Sequence, residues 1–179
     1  MEIERIIRVG ECASHGRWSE VAGIIQRDSS DLADVEKSVV LCELVYYGQT
    51  ELVRLLLGLG ANPNYRYEYE HADLAALNLD AYSGTTALGQ TVLGCAEHRH
   101  DTVATMKALI DAGANPNTHT YNGYTPLQLA IVENCPRHAK ILFECGADPA
   151  MPSADMDRPS AYFFARDVDW AKKLLDSER

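Results

Sequence analysis

A chain of 179 residues, 46% of them hydrophobic, has the size and composition to fill one soluble globular domain. Its formal net charge of -10 sets it against nucleic acid phosphates and anionic lipid headgroups, so neither is expected as a partner, while a basic protein would suit it. No apolar run is long enough to span a bilayer, and Glu2, Glu4, Arg5 and Arg8 break up Ile3, Ile6 and Ile7 where a signal peptide would be continuous, so a cytosolic protein is expected.

Taken from the N-terminus, residues 1–30 place Val9, Cys12, Ala13, Gly16, Val21, Ile24 and Ile25 in the phase of two short helices. Residues 31–64 repeat the plan. A helix through Ser38 to Leu44 leads to the turn Tyr47-Gly48-Gln49, then to the apolar run Leu52 to Leu57, and closes on Gly60-Ala61-Asn62-Pro63-Asn64. The glycine supplies a left-handed helix cap, and the proline prevents the helix from resuming.

Residues 65–88 do not fit the plan and read as an insertion. Tyr65-Arg66-Tyr67-Glu68-Tyr69-Glu70 alternates strictly, which predicts an extended strand with one tyrosine face. Asp73-Leu74-Ala75-Ala76-Leu77 predicts a short helical turn, and Ser83-Gly84 marks a return. A loop of this length is functional or disordered, and its tyrosines and leucines argue against disorder and for a functional contact; the alternative is structural padding, with the tyrosines simply packed on the next unit.

The plan resumes over residues 89–117, with Gly89-Gln90-Thr91-Val92-Leu93-Gly94-Cys95-Ala96 as turn and first helix, Val103 to Ile110 as second, and Gly113-Ala114-Asn115-Pro116-Asn117 as closing loop. The best copy spans 118–149. There Gly123 makes a turn, Thr125 caps, Pro126 takes the first helical position, and Leu127-Gln128-Leu129-Ala130 continue the helix. His138 to Phe143 forms the partner helix, closed by Gly146-Ala147-Asp148-Pro149. Residues 150–179 end the series through Ala161, Phe164, Ala165, Ala171, Leu174 and Leu175, with Lys172 and Lys173 beside Asp176 and Glu178 on a wettable face. Trp18 and Trp170 each open a second helix in the terminal units, where a large ring would seal a stack end.

A turn, a short helix, an antiparallel helix and a Gly-Ala-Asn loop, recurring at roughly 33 residues, resembles the ankyrin repeat. The resemblance covers nearly all of the chain. It implies an all-α solenoid of about five helix-pair units, with β-hairpin-like loops and one long inserted loop, forming a single domain over 1–179. One departure concerns the histidine that follows Thr-Pro-Leu in the family, for which this chain is read to have Gln128, Gly94 and Cys42.

The same resemblance implies a surface that grips another protein, made of hairpin tips and the concave ends of the first helices. Carried over by position, the groove holds Ser14 and His15, Tyr46 and Tyr47, His98 and Arg99, and Val132 and Glu133. Tips add His119, Tyr121, Asn122 and Tyr124, then Met156 and Asp157, while Tyr65, Tyr67, Tyr69 and Tyr82 belong to the insertion. Every tyrosine except Tyr162 falls on this surface, and tyrosine gives broad rigid contact at small entropic cost.

Chemistry finds no foothold in this reading. Cys12/His15, Cys95/His98 and Cys135/His138 are Cys-x-x-His pairs, but they lie in different units and phases, so the stack is expected to hold them apart, and no metal or other cofactor is expected. The remaining cysteine character, with Cys42 and Cys145, reads as small core hydrophobes in a reducing compartment. His98-Arg99-His100-Asp101 reads as a solvated inter-helix turn, without a nucleophile or a phosphate-binding glycine loop nearby. A non-catalytic protein-binding module, monomeric when alone, is therefore expected to bind and block a specific partner. Small acidic ankyrin proteins resemble bacterial immunity proteins or antitoxins, for which a basic toxin such as a nuclease would be the target; a scaffold or host-directed effector is the further alternative.

Overall fold

The computed structural model describes residues 2–28, 30–67, 84–98, 100–154 and 159–177. Their regular structure is helical: α1 (Glu2–Ser14), α2 (Trp18–Arg27), α3 (Asp34–Tyr46), α4 (Thr50–Gly58), α5 (Ala87–His98), α6 (Val103–Asp111), α7 (Pro126–Val132), α8 (Pro136–Glu144), α9 (Ala161–Ala165) and α10 (Asp169–Asp176). The helices pair in chain order. First helices pack in a row, α1 on α3, α3 on α5, α5 on α7 and α7 on α9, while α4 meets α6, α6 meets α8 and α8 meets α10. One apolar core runs through the stack from Ile6 to Leu175, and Leu56, Leu109, Leu127 and Leu142 are fully buried along it. No single pair could bury its apolar stripe alone, which is why neighbours share one core.

The closing loops do more than end helices. Gly60, Gly113 and Gly146 take φ of 92°, 91° and 88°, the left-handed cap read from the sequence. The second asparagine of each loop then reaches across to the next unit. Asn64 donates its amide to the Gly113 carbonyl at 3.0 Å and accepts the Asn115 N–H at 2.7 Å. Asn117 repeats this on Gly146 and Asp148, at 3.0 and 2.7 Å. The first Asn or Asp of each loop folds the turn locally, Asn62 accepting from Asn64 N and Asn115 from Asn117 N. The Gly-Ala-Asn-Pro-Asn motif is thus a cap, a turn and a clip between units.

The third unit starts earlier than the sequence reading placed it. Ala87 and Leu88, read as the end of the insertion, form the first turn of α5, and Thr86 accepts the Gly89 N–H at 3.3 Å as its cap. Gly84, at φ 79°, makes the turn that Gly123 makes before α7. The residues three after each cap are therefore Gly89 in α5, Gln128 in α7 and Glu36 in α3, not Gly94 and Cys42. Glu36 accepts the Ala33 N–H at 2.8 Å. Gln128 accepts from Thr125 N and donates to the carbonyls of Met151 and Pro159, tying the fourth unit to the fifth. Gly89 leaves room for Thr120, whose hydroxyl accepts the Thr86 N–H at 3.0 Å, so the next unit supplies the missing tie.

The inserted segment is pinned at both ends. Arg66 and Thr86 form an antiparallel bridge, the Tyr67 N–H donates to Thr85 O at 2.9 Å, and the Gly84 N–H donates to Tyr67 O at 2.6 Å. Extended backbone with Tyr67 buried and Arg66 exposed fits the alternation over this stretch. The expected strand beyond Tyr67 and the turn at Asp73 to Leu77 lie outside the described residues.

The two tryptophans do not seal the ends. Trp18 packs its ring on Tyr47 of the second unit at 5.5 Å, and Trp170 donates its indole N–H to Asn134 of the fourth at 2.9 Å. An amphipathic ring with a polar edge gains more from a neighbouring unit than from open water.

Candidate functional site

At the C-terminal end of α3, Tyr46 and Tyr47 meet edge to face at 5.3 Å, and His100 lies 6.1 and 5.6 Å from the two rings. Tyr46 is only 7% exposed and donates its hydroxyl to Glu97 at 2.8 Å. It is a core residue with a tethered polar tip, which corrects the expectation of an open contact residue. The reason is the close approach of α5: a Cβ on Gly94 would run into the Tyr46 carbonyl, so the two helices pack backbone against backbone there. Tyr47 remains half-buried, and burial, then the nearby Glu43 charge, push its phenol above the usual range. Glu43 itself is buried on α3, and desolvation lifts its carboxyl to about 8. The same burial, followed by Glu43, raises the Cys42 thiol to about 12.

The insertion divides in the same way. Tyr67 is 2% exposed and belongs to the core, a second correction, whereas Tyr65 is half-buried against it. Tyr69 and Tyr82 lie outside the described residues, as do Arg99, Met156, Asp157 and the side chain of His98. His100 does not sit in a solvated turn as expected; it packs against Tyr46 and Tyr47, and its N–H donates to Gly94 O at 3.1 Å. Asp101 does stay exposed, 3.7 Å from Arg137.

Ahead of α7, Tyr121–Gly123 forms a single 3-10 turn with Asn122 exposed at φ 53°. Its base is closed by Thr120 N–H donating to Tyr124 O at 2.7 Å. His119, half-buried, is hydrogen-bonded through Nε2 to the Pro152 carbonyl at 2.9 Å. Half-buried Tyr124 continues into a row that the sequence reading missed: Tyr124 meets Phe164 at 5.5 Å, Phe164 meets Phe163 at 5.7 Å, and the Arg166 guanidinium lies 4.0 Å over Phe163. Phe163 is 45% exposed and Val132, at the end of α7, is 44% exposed. Glu133 follows as the half-buried C-cap. The adjacent pair Phe163-Phe164 was the available signal, since one helix face cannot bury two successive rings.

Residues 41–152 match the family model "Ankyrin repeats (3 copies)". The chain belongs to the ankyrin-repeat family. Ankyrin repeats are protein–protein interaction modules, and the family is generally non-catalytic. The chain is also similar to Protein fem-1 homolog A of Bos taurus and of Homo sapiens, 30% identical over 86 residues in each case. That stretch covers 48% of this ankyrin chain and 12% of those proteins. No helix among the described residues is long and apolar enough to cross a membrane.

The ankyrin stack also brings together side chains that the sequence reading held apart. Ligand atoms of Cys95 (α5), Cys135 (the N-cap of α8) and His138 (its first turn) lie within 4.8 Å of one another. Burial, then Cys95, pushes the Cys135 thiol to about 12, and burial, then Arg137, lowers the His138 imidazole to about 4. The early start of α5 explains the correction, because it sets Cys95 at the helix end that faces α8. Cys145, by contrast, is exposed and not the core residue expected.

Proposed function

We propose that this chain is a non-catalytic module that captures one specific protein and blocks it, using the finger before α7 and the open aromatic row behind it. The observation that carries the reading is Phe163, 45% exposed and held in place by Phe164 and Arg166. A large ring left half in water but fixed in one rotamer costs little entropy when a partner covers it, which is the usual physics of a hot spot. Tyr121 and Tyr124 extend the same surface. Tyr47 and Tyr65, half-buried, are secondary contacts, and the buried Tyr46 and Tyr67 serve as their support.

The test is affinity capture from native cytosol, followed by titration of the captured protein. Tyr121→Ala with Phe163→Ala should weaken binding by about 30-fold or more, the level of a hot spot, with the melting temperature nearly unchanged. Unaltered affinity in that variant would move the interface elsewhere.

The net charge of -10 favours one finer version, a bacterial immunity protein or antitoxin that neutralises a basic toxin such as a nuclease in the cytosol. Opposite charge would steer encounter, so association should slow steeply with added salt. One stoichiometric basic partner supports this version; several partners support a scaffold.

A further inference from the structure

We infer that Cys95, Cys135 and His138 form a metal site for a thiolate-loving divalent cation, zinc(II) foremost, bridging the third and fourth repeats. The tautomer of His138 is fixed by its neighbours. Thr102 donates its one hydroxyl proton to the Thr91 carbonyl, so its oxygen can only accept from His138 Nε2, 2.8 Å away. His138 therefore carries its proton on Nε2 and a lone pair on Nδ1. The side chain is 2% exposed, and Nδ1 has no hydrogen-bond partner among the described residues. A buried lone pair is rarely left unused in a well-packed interior.

Two thiols stand beside this imidazole. A ring nitrogen of His138 and the two sulfurs fall within 4.8 Å of one another, and a tetrahedral zinc with Zn–S of about 2.3 Å and Zn–N of about 2.0 Å needs roughly 1 Å less than that. Side-chain rotation supplies such a change. Imidazole with two sulfurs selects zinc over magnesium or calcium, which prefer oxygen. The Thr91–Thr102–His138 chain is the outer-shell support that metal-binding histidines require. A cleft of about 250 Å3 opens on the cluster, with His100, Asp101, Asn134 and Arg137 along its walls, so a cation can enter and a fourth ligand can come from the cleft side. Simple core packing accounts for the thiols, yet it gives the oriented, unpartnered Nδ1 no role.

On binding, zinc displaces one proton from each thiol to solvent, while the imidazole enters already neutral. Uptake should release two protons per cation and tighten with rising pH.

The test uses the full chain, reduced and stripped with a chelator, and zinc itself as probe, in competition with a chromophoric chelator; cobalt(II) then reports the ligands. Expected is one zinc per chain, a cobalt charge-transfer band of two-thiolate intensity, and a rise in melting temperature. Cys95→Ser, at a half-buried position, should halve that band, and Cys135→Ser should weaken zinc binding at least 100-fold. Thr102→Val, which changes a positioning residue and no ligand, should weaken it by about 10–100-fold, and Cys145→Ser should leave it unchanged. The inference falls if reduced wild-type protein takes up no zinc, if the cobalt band lacks thiolate character, or if binding survives loss of both Cys95 and Cys135. A Cys95–Cys135 disulfide that forms in air and persists in the presence of zinc would likewise overturn it. None of these outcomes touches the proposed protein-binding surface.

Discussion

The junction between the second and third units and that between the third and fourth look different in sequence, since only the first carries an insertion. Their fastening is nonetheless shared. Asn64 clips the second unit to the third through Gly113 and Asn115, and Asn117 clips the third to the fourth through Gly146 and Asp148, with the same two bonds at the same distances. What differs is the opposite side. The regular junction is tied by Thr120 on Thr86 and by His138 on Thr102, whereas the interrupted one relies on the Tyr46 carbonyl closing over Gly94, the Tyr46 hydroxyl on Glu97 and the hydroxyl pair Thr50 and Thr105 at 2.8 Å, with Glu43 buried on its α3. Repeat chemistry in a solenoid is therefore conserved where loops meet and rewritten where helices meet.

The largest losses are expected in the core that both junctions share. Leu56→Ala and Leu127→Ala both remove fully buried side chains and should each cost about 2–5 kcal/mol. Denaturation followed by a probe in each half should show the mutated half loosening first; one sharp, coincident transition in both variants would mean a stack that is cooperative throughout. Next comes Gly94→Ala, which forces a methyl into the Tyr46 carbonyl and should cost about 1–3 kcal/mol. An unchanged melting temperature there would show that α3 and α5 can slide apart without loss.

Glu43 sharpens the contrast by pH. Its folded-state pKa is raised from 4.5 to about 8, so the native chain keeps a proton that the unfolded chain gives up. Stability from this group is present in full below 4.5 and is lost as pH rises towards 8. Between pH 6.5 and 8, Glu43→Gln should abolish a decline of about 2 kcal/mol seen in the wild type. Parallel urea titrations of the two proteins across that window check it. Equal slopes would mean that water reaches the carboxylate.

The smallest effect tests the shared device directly. Asn64→Ala and Asn117→Ala should each cost about 1 kcal/mol, because exposed hydrogen bonds exchange readily for water. Equal losses in chemical denaturation support one clip used twice; a much larger loss at Asn64 would show that the insertion depends on it.

Much of this architecture could be read from residues whose chemistry is local. Gly113, Pro116, Thr125 and Pro126 constrain their own backbone, and the helices they bound appear where expected. The start of α5 was not legible, because Gly84-Thr85-Thr86 and Gly89-Gln90-Thr91 offer the same turn-and-cap chemistry and Ala87 stands where Pro126 stands in the better copy. The choice is made by distant partners, Thr120 on Thr86 and Tyr67 on Thr85. That misplacement exceeds one helical turn, enough to rotate Cys95 away from Cys135 and His138 in the reading, and the thiol–imidazole cluster disappeared with it. Tyr46 and Tyr67 were misread for a related reason. Tyr46 is exposed only if the adjoining helix keeps its distance, and Gly94, which removes this distance, lies in another unit, while Tyr67 is set inward where its backbone pairs with Gly84 and Thr85, well beyond it in the chain.

The paired backbone at Tyr67, Gly84 and Thr85 has a consequence for how such a protein can change. With that foot already closed, the residues between Tyr67 and Gly84 answer to almost no length requirement, since doubling a closed loop costs only about 0.6 kcal/mol. Insertions or deletions between Tyr67 and Gly84 therefore leave the scaffold beneath them intact, so the length of this stretch and the foldability of the stack are set by separate parts of the sequence.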